Sequence, residues 1–154
     1  MPKKSAGLLL FRRREGLEVL LVHPGGPLWA KKDEGAWSIP KGEIDPDEDP
    51  LAAARREFEE ELGSSVTGDF VTLAPIRQAS GKLVYAWAVE ADFDAATFTS
   101  GTFSMEWPPR SGRQHEFPEV DRAEWFTIDE AKRKINKGQV PLLDECEQLI
   151  APQT

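Results

Sequence analysis

The amino-acid sequence predicts a mixed α/β layered domain. Two apolar runs near the N-terminus, 5–11 and 17–23, are typical of buried β-strands, and "RRREG" between them indicates a hairpin turn. Further along the chain, the predicted elements follow in the order strands, helix, strands, helices, which is typical of this class. A length of 154 residues suits one domain.

The first helix has clear start and stop signals. Asp49 is a candidate N-cap, and Pro50 suits the first helical position. Gly63 is a favourable residue for ending the helix, so the sequence predicts a helix over 50–62. Its apolar face is formed by residues at helical spacing, namely Leu51, Ala54, Phe58 and Leu62.

The middle of the chain is predicted from turn residues and β-propensity. Residues 24–48 are rich in Gly, Pro, Lys and Asp and are expected to form a loop with a short strand at "AWSIP". Strands are expected over 70–78 and 82–91, joined by a turn at "ASG". Residues 94–118, with "WPPRSGR" at their centre, are expected to be irregular.

The C-terminal part is predicted to be mainly helical. After a short strand over 123–126, Thr127 and Glu130 have the spacing of a capping box. A last helix is expected over 141–150. The single cysteine, Cys146, lies at helical spacing among leucines, which favours a buried core thiol.

Charge and hydropathy exclude several classes of function. The net charge of -8 disfavours general nucleic-acid binding but not a small anionic substrate in a local basic pocket. No apolar run approaches the roughly 20 residues of a membrane span. The N-terminal "AGLLLF" is too short for a signal-peptide core, and "RRREG" follows where a cleavage site should be, so a cytoplasmic protein is expected.

The stretch "RREFEEELG" places three carboxylates on one face of the predicted helix. Glu57, Glu60 and Glu61 stand at positions i, i+3 and i+4, whereas Phe58 and Leu62 point toward the core. Such a cluster suits a hard divalent cation, because Mg²⁺ prefers oxygen ligands. From the helix alone, a solvated acidic face is the favoured interpretation.

The surrounding residues favour the metal site. The spacing resembles the signature G-x5-E-x7-R-E-U-x-E-E-x-G-U of the Nudix hydrolase family, in which U is a bulky apolar residue. Ser64 departs from the last apolar position, where it would affect packing and no ligand. The matching residues are Gly42, Glu48, Arg56, Glu57, Phe58, Glu60, Glu61 and Gly63.

The resemblance implies a fold and a reaction. It implies a single Nudix hydrolase domain over 1–154, built as an α/β/α sandwich with a mixed β-sheet flanked by helices. It also implies a hydrolase that uses Mg²⁺ or Mn²⁺ to cleave a nucleoside diphosphate linked to another group.

The resemblance further assigns roles to residues of the box. Glu57, Glu60 and Glu61 are the implied metal ligands, joined by a backbone carbonyl near Lys41 and Gly42. Glu57 is also a candidate base in some family members. The guanidinium of Arg56 is expected to orient Glu57 or Glu48 by a charge-assisted hydrogen bond.

A further catalytic glutamate is expected from a later loop, as in many Nudix enzymes. Glu119 lies just before the short strand over 123–126, and Glu116 is the second candidate. Exposed loop carboxylates without a catalytic role are the alternative interpretation for both. Glu124 is the weaker choice because it lies inside the predicted strand.

Substrate contacts are expected from cations and aromatic rings. Lys41, Arg110 and Arg113 lie in predicted loops and are candidates for binding phosphates, for which arginine is well suited. Tyr85 and Trp87 are candidates for stacking on a base and lie on the same side of one strand.

The residues before the box favour one group of substrates. "WSIPKGEIDPDE" resembles the opening of dinucleoside polyphosphate hydrolases and some MutT-like nucleoside triphosphatases. A small nucleotide substrate is therefore expected, either a nucleoside triphosphate or a dinucleoside polyphosphate, with no nucleic-acid polymer and no membrane. The alternatives are an ADP-ribose or nucleotide-sugar pyrophosphatase and a non-catalytic nucleotide-binding module.

Overall fold

The computed structural model describes residues 3–14 and 16–150. The strands are Lys4–Arg14 (β1), Gly16–Pro24 (β2), Lys41–Glu43 (β3), Val71–Thr72 (β4), Ile76–Arg77 (β5), Leu83–Glu90 (β6), Thr102–Glu106 (β7), Gln114–Pro118 (β8) and Val120–Thr127 (β9). The helices are Pro50–Leu62 (α1), Ile128–Lys134 (α2) and Val140–Ile150 (α3), and a 3-10 turn, Lys137–Gln139, precedes α3.

The main sheet is mixed, as predicted. Its strand order is β4-β6-β1-β2-β9, with β1 parallel to β6 and antiparallel to β2. The short β3 pairs with the first part of β1, so that Gly42 lies opposite Ala6 and Lys41 opposite Gly7. This pairing fixes the start of the box against the centre of the sheet.

Helices cover both faces of the sheet, which confirms the α/β/α sandwich. Side chains of β1 alternate between the two faces: Leu8 packs in the core under α1, and Leu9 packs in the core under α2 and α3. Burial on both faces explains the uninterrupted apolar run in β1. Cys146 of α3 is fully buried as predicted, and this burial raises the pKa of its thiol to about 12.

Helix α1 has the predicted bounds and caps. The Asp49 carboxylate accepts a hydrogen bond from the Ala52 N–H at 3.0 Å, and Pro50 occupies the first turn. Gly63 ends the helix in the left-handed conformation, with φ 76°. Phe58 and Leu62 are buried in the core, as the apolar periodicity predicted.

The segment 94–118 corrects the sequence prediction. It was expected to be irregular, but β7 and β8 form an antiparallel hairpin with "WPPRSGR" as its turn. Only alternate residues of β7 are partly buried, and the strands pair with each other outside the main sheet, so their apolar pattern is weak.

Other boundaries differ by smaller amounts. The expected strand over 70–78 is two short strands, β4 and β5, and "AWSIP" contributes only isolated bridges at Trp37 and Ser38. Strand β9 is longer than the predicted 123–126. Across the described residues, no helix combines the length and the apolar character that crossing a membrane requires.

Candidate active site

The three glutamates of the box lie on one face of α1 but differ in exposure. Glu61 is buried, with 8% of its surface exposed. Glu57 is partly buried, and the side chain of Glu60 is half exposed. The cluster therefore runs from the protein interior to solvent, as a site that admits a ligand from one side must.

Arg56 joins these carboxylates to the loop before the helix. Its Nε and Nη2 atoms donate to Glu48 at 2.8 and 3.0 Å, and its Nη1 atom donates to Glu57 at 2.9 Å and to Glu60 at 3.1 Å. This guanidinium holds the pKa of Glu48 down, at about 2. Arg56 thus contacts both glutamates that it was expected to orient, and Glu48 braces the turn into α1.

Gly42 allows Glu57 to lie against the backbone of β3. A β-carbon at position 42 would lie 2.1 Å from Cδ and Oε2 of Glu57. Any larger residue would therefore displace this carboxylate. The glycine leaves room for a carboxylate and a backbone segment to approach one common ligand.

A cavity of about 200 Å³ lies where the box meets β2 and β9. Lys41, Glu61 and Glu119 contribute its charged side chains. The structure thus brings Glu119, which is 58 residues further along the chain than Glu61, into the same cavity. Lys41, which lies close to Glu61 and Glu57, is the cation of this cavity.

Glu119 is positioned through Gly101, a residue that the sequence did not single out. The Gly101 N–H donates to the carbonyl oxygen of Glu60 at 2.9 Å, and the Gly101 carbonyl accepts from the Glu119 N–H at 2.8 Å. A β-carbon at position 101 would lie 3.5 Å from the Glu119 carboxylate. The only sequence signal is the run of small residues "TSGT".

Glu57, Glu61 and Glu119 have raised pKa values. Burial raises the pKa of Glu61 to about 9, and the charges of Glu57 and Glu119 add to this rise. The pKa values of Glu57 and Glu119 are raised by burial and by the charge of Glu60. Burial lowers the pKa of Lys41. The negative charges of the cluster are therefore incompletely compensated by the protein.

Comparison with known proteins identifies the family. Residues 1–146 match the NUDIX domain family. The chain belongs to the Nudix family. The segment from Gly42 to Ser64, which includes the glutamates of α1, carries the signature of the Nudix box at every position but the last.

One curated relative matches part of this Nudix chain. It is 38% identical over 66 residues to an RNA pyrophosphohydrolase of Rhodospirillum rubrum, which is 41% of this chain and 38% of that protein. The chain thus spans well under half the length of that relative.

Two solved structures show the same fold. An Ap4A hydrolase of C. elegans in a binary complex aligns with a TM-score of 0.68 and 20% identity, covering 96% of this chain and 98% of that one. The NUDIX domain of Shewanella oneidensis NrtR, complexed with ADP ribose, also gives a TM-score of 0.68, with 16% identity and coverage of 97% and 89%.

The donor set fits the divalent cation that the Nudix box implies. Its side-chain ligands are carboxylates, and the Gly42 cradle keeps one of them against the backbone. The raised pKa of Glu61 indicates that the protein alone stabilises the charge of this carboxylate poorly, which a bound cation would correct. Among residues 3–14 and 16–150, no three acidic, His or Cys side chains are already gathered tightly enough to hold a metal. Glu57 and Glu60 instead converge on one guanidinium nitrogen, Nη1 of Arg56.

Other predicted site residues of this Nudix domain lie apart from the cluster. Glu116 is on the exposed hairpin, and its carboxylate accepts a long hydrogen bond from the Thr102 hydroxyl, at 3.4 Å. Arg110 and Arg113 lie in the hairpin turn. This turn is five strand residues, or about 17 Å, from the base of the hairpin. Their roles stay predictions.

Tyr85 and Trp87 lie on the α1 side of the main sheet, on one strand face as predicted. Tyr85 lines a separate cavity of about 560 Å³ beside the loop 44–50, and Glu48 of this loop also lines the cavity. Trp87 is half-buried against the core under α1. Of the two aromatic residues, Tyr85 alone lines this cavity.

Proposed function

We propose that the protein is a metal-dependent pyrophosphohydrolase that cleaves a nucleoside diphosphate linked to another moiety. The observation that carries the proposal is the cavity where Glu61 of the Nudix box, Lys41 and Glu119 meet. Carboxylates, one cation and a further glutamate from the bend between β8 and β9 are the groups that phosphoanhydride hydrolysis needs.

Glu57, Glu60 and Glu61 would hold the cation, with the backbone carbonyl near Lys41 and Gly42. When bound, a Mg²⁺ or Mn²⁺ ion supplies positive charge to phosphate oxygens and lowers the pKa of water. Arg56 keeps Glu57 and Glu60 on the correct side of α1 through its two Nη1 hydrogen bonds. Because Gly42 has no side chain, the Glu57 carboxylate can lie against the backbone of β3.

Glu119 is the proposed general base. Its raised pKa makes its carboxylate a better proton acceptor than an ordinary exposed glutamate, and Gly101 holds its backbone beside the end of α1. The carboxylate would take a proton from the attacking water. Lys41 would face the phosphates, because it is the cation of the same cavity.

The proposed substrates are a nucleoside triphosphate or a dinucleoside polyphosphate. The Ap4A hydrolase name of one structural neighbour agrees with this choice, although the identity of 20% supports the fold alone. Tyr85 is kept as a proposed contact for the second base of a dinucleoside polyphosphate, because its cavity adjoins the Nudix box at Glu48.

The 5′-triphosphate end of RNA is a second candidate substrate. The observation in its favour is the name of the Rhodospirillum rubrum relative, which is an RNA pyrophosphohydrolase. The net charge of -8 disfavours a long polyanion, because its further phosphates would meet an acidic surface. A nucleotide exposes the protein to far fewer phosphate charges.

Product analysis tests the proposal. The panel comprises nucleoside triphosphates, diadenosine tetraphosphate, ADP-ribose, a nucleotide sugar and a 5′-triphosphorylated RNA, each with Mg²⁺ or Mn²⁺. We expect metal-dependent cleavage of a phosphoanhydride bond that Glu61→Gln abolishes. Glu59→Gln is the matched control, since Glu59 is an exposed glutamate of the same helix. Full activity of the Glu61→Gln protein would refute the assignment.

A further inference from the structure

A further cavity, of about 150 Å³, lies between the loop that follows β2 and the hairpin β7–β8. Its lining residues are Gly25, Gly26, Leu28, Trp29, Phe103 and Met105. The lining side chains are apolar, and their only hydrogen-bonding groups are the indole N–H of Trp29 and the weakly accepting sulfur of Met105. The cavity therefore suits a flat apolar group.

Two adjacent glycines bring the loop against the hairpin. A β-carbon on Gly25 would lie 2.0 Å from the carbonyl oxygen of Pro118, and one on Gly26 would lie 2.9 Å from the ring of Phe103. The Gly25 N–H also donates to the carbonyl oxygen of Glu119 at 3.0 Å. A backbone hydrogen bond thus connects the loop that lines the apolar cavity to Glu119, the proposed general base.

The loop that carries Trp29 is also fixed on its far side. His23 is fully buried, its Nε2–H donates to the carbonyl oxygen of Lys32 at 2.6 Å, and its Nδ1 contacts the Asp121 carboxylate at 2.7 Å. The Lys32 ammonium lies 5.2 Å from the centre of the Trp29 ring. The walls of the cavity are held in place, and a positive charge stands beside them.

The exposure of two wall residues indicates that the cavity is open to a ligand. Leu28 and Trp29 are 60% and 38% exposed, among the few large apolar side chains at the described surface. Single exposed apolar residues are common, but here two of them meet in a concavity beside a charged site. An anionic molecule with an apolar ring is the ligand whose chemistry matches both the apolar cavity and the charged site beside it.

We infer that this cavity binds the base of the nucleotide and recognises the face of the base rather than its hydrogen-bonding edge. The inference rests on the proposed function, and it makes Trp29, Leu28 and Phe103 determinants of specificity. Stacking on an aromatic ring tolerates every base, because every base has a π-face. Selection of one base would need matched donors and acceptors, which these side chains do not provide.

The test compares substrates with and without a base. We expect the protein with Mg²⁺ to hydrolyse ATP, GTP, CTP and UTP with kcat/KM values within about tenfold of each other, and inorganic tripolyphosphate at least about tenfold less well. Trp29→Ala and Leu28→Ala should lower kcat/KM for the four nucleotides, at least about fivefold for Trp29→Ala, and leave tripolyphosphate unchanged. Leu149→Ala, an exposed leucine on α3, is the control.

Several results would overturn the inference. These are a preference of more than 100-fold for one base, equal losses for nucleotides and tripolyphosphate in the Trp29→Ala protein, or a base-dependent loss in Tyr85→Ala instead. If the wild-type protein cleaves none of the five compounds, a nucleotide-binding measurement tests the base site instead. Millimolar AMP and CMP should then shift the indole N–H resonance of Trp29, identified by its loss in Trp29→Phe. An unmoved resonance would refute the base site, whereas a shift without turnover on the full product panel would refute only the proposed function.

Discussion

The Glu57 carboxylate occupies the space that a side chain at Gly42 would fill, since a β-carbon there would lie 2.1 Å from Oε2 of Glu57. A carboxylate at the end of a flexible side chain can move away, so Gly42→Ala should displace Glu57 and leave the fold intact. We expect metal-activated hydrolysis to fall about 10- to 100-fold. Thermal unfolding should change by only a few degrees. Wild-type activity in Gly42→Ala would show that Glu57 does not need this position.

A comparison of two variants distinguishes between Glu119 and Glu116 as the general base. Glu119 lines the reactive cavity, whereas Glu116 is exposed on the hairpin. Glu119→Gln should lower kcat by about 10²- to 10⁴-fold, the range expected for loss of a general base. Glu116→Gln should change kcat less than about twofold. The opposite ranking in steady-state kinetics would transfer the role to Glu116.

Arg56 should act through the geometry of its fork as well as through its charge. It donates to Glu48, Glu57 and Glu60 at once, which a lysine cannot reproduce. We expect Arg56→Lys to raise the Mg²⁺ concentration needed for half-maximal activity about 10-fold or more. Arg55→Lys is the matched control, because the exposed Arg55 guanidinium lies over the Phe70 ring away from these carboxylates. Equal metal requirements in both variants would contradict a positioning role.

The buried Glu61 should make the metal-free protein less stable as the pH rises. Its pKa is about 9 in the folded protein, against an ordinary value of 4.5. The folded state therefore holds the proton more tightly, so this stabilisation is complete below about pH 4.5 and is lost as the pH approaches 9. Urea unfolding in EDTA between pH 5 and 9 should show this decline.

Glu61→Gln should flatten that pH dependence, because glutamine does not titrate. Some decline should persist, since Glu57 and Glu119 also have raised pKa values. A wild-type protein whose stability rises over this pH range would show that Glu61 is ionised and compensated in the folded state.

Local signals explain what the sequence predicted well. Helix α1 carries its N-cap, its apolar periodicity and its terminal glycine within 15 residues, and each signal acts over one or two turns. The carboxylate face follows from the same helix geometry. Arg56 and Glu48 could be paired because they flank the start of that helix.

Long-range pairing explains what the sequence did not predict. The hairpin β7–β8 was expected to be irregular, since its strands have few apolar residues and its turn is rich in Pro and Gly. The position of Glu119 depends on backbone hydrogen bonds from Gly101 to the end of α1. The apolar cavity depends on the contact of Gly26 with Phe103, 77 residues away. No local pattern encodes such contacts.

Thermal unfolding with and without millimolar Mn²⁺ tests the central claim that the glutamates of α1 form a metal site. A cation that binds only the folded protein must raise its unfolding temperature. We expect a clear increase for the wild-type protein and for Glu59→Gln, and none for Glu61→Gln. An equal increase in Glu61→Gln, or no increase in the wild-type protein, would contradict the account.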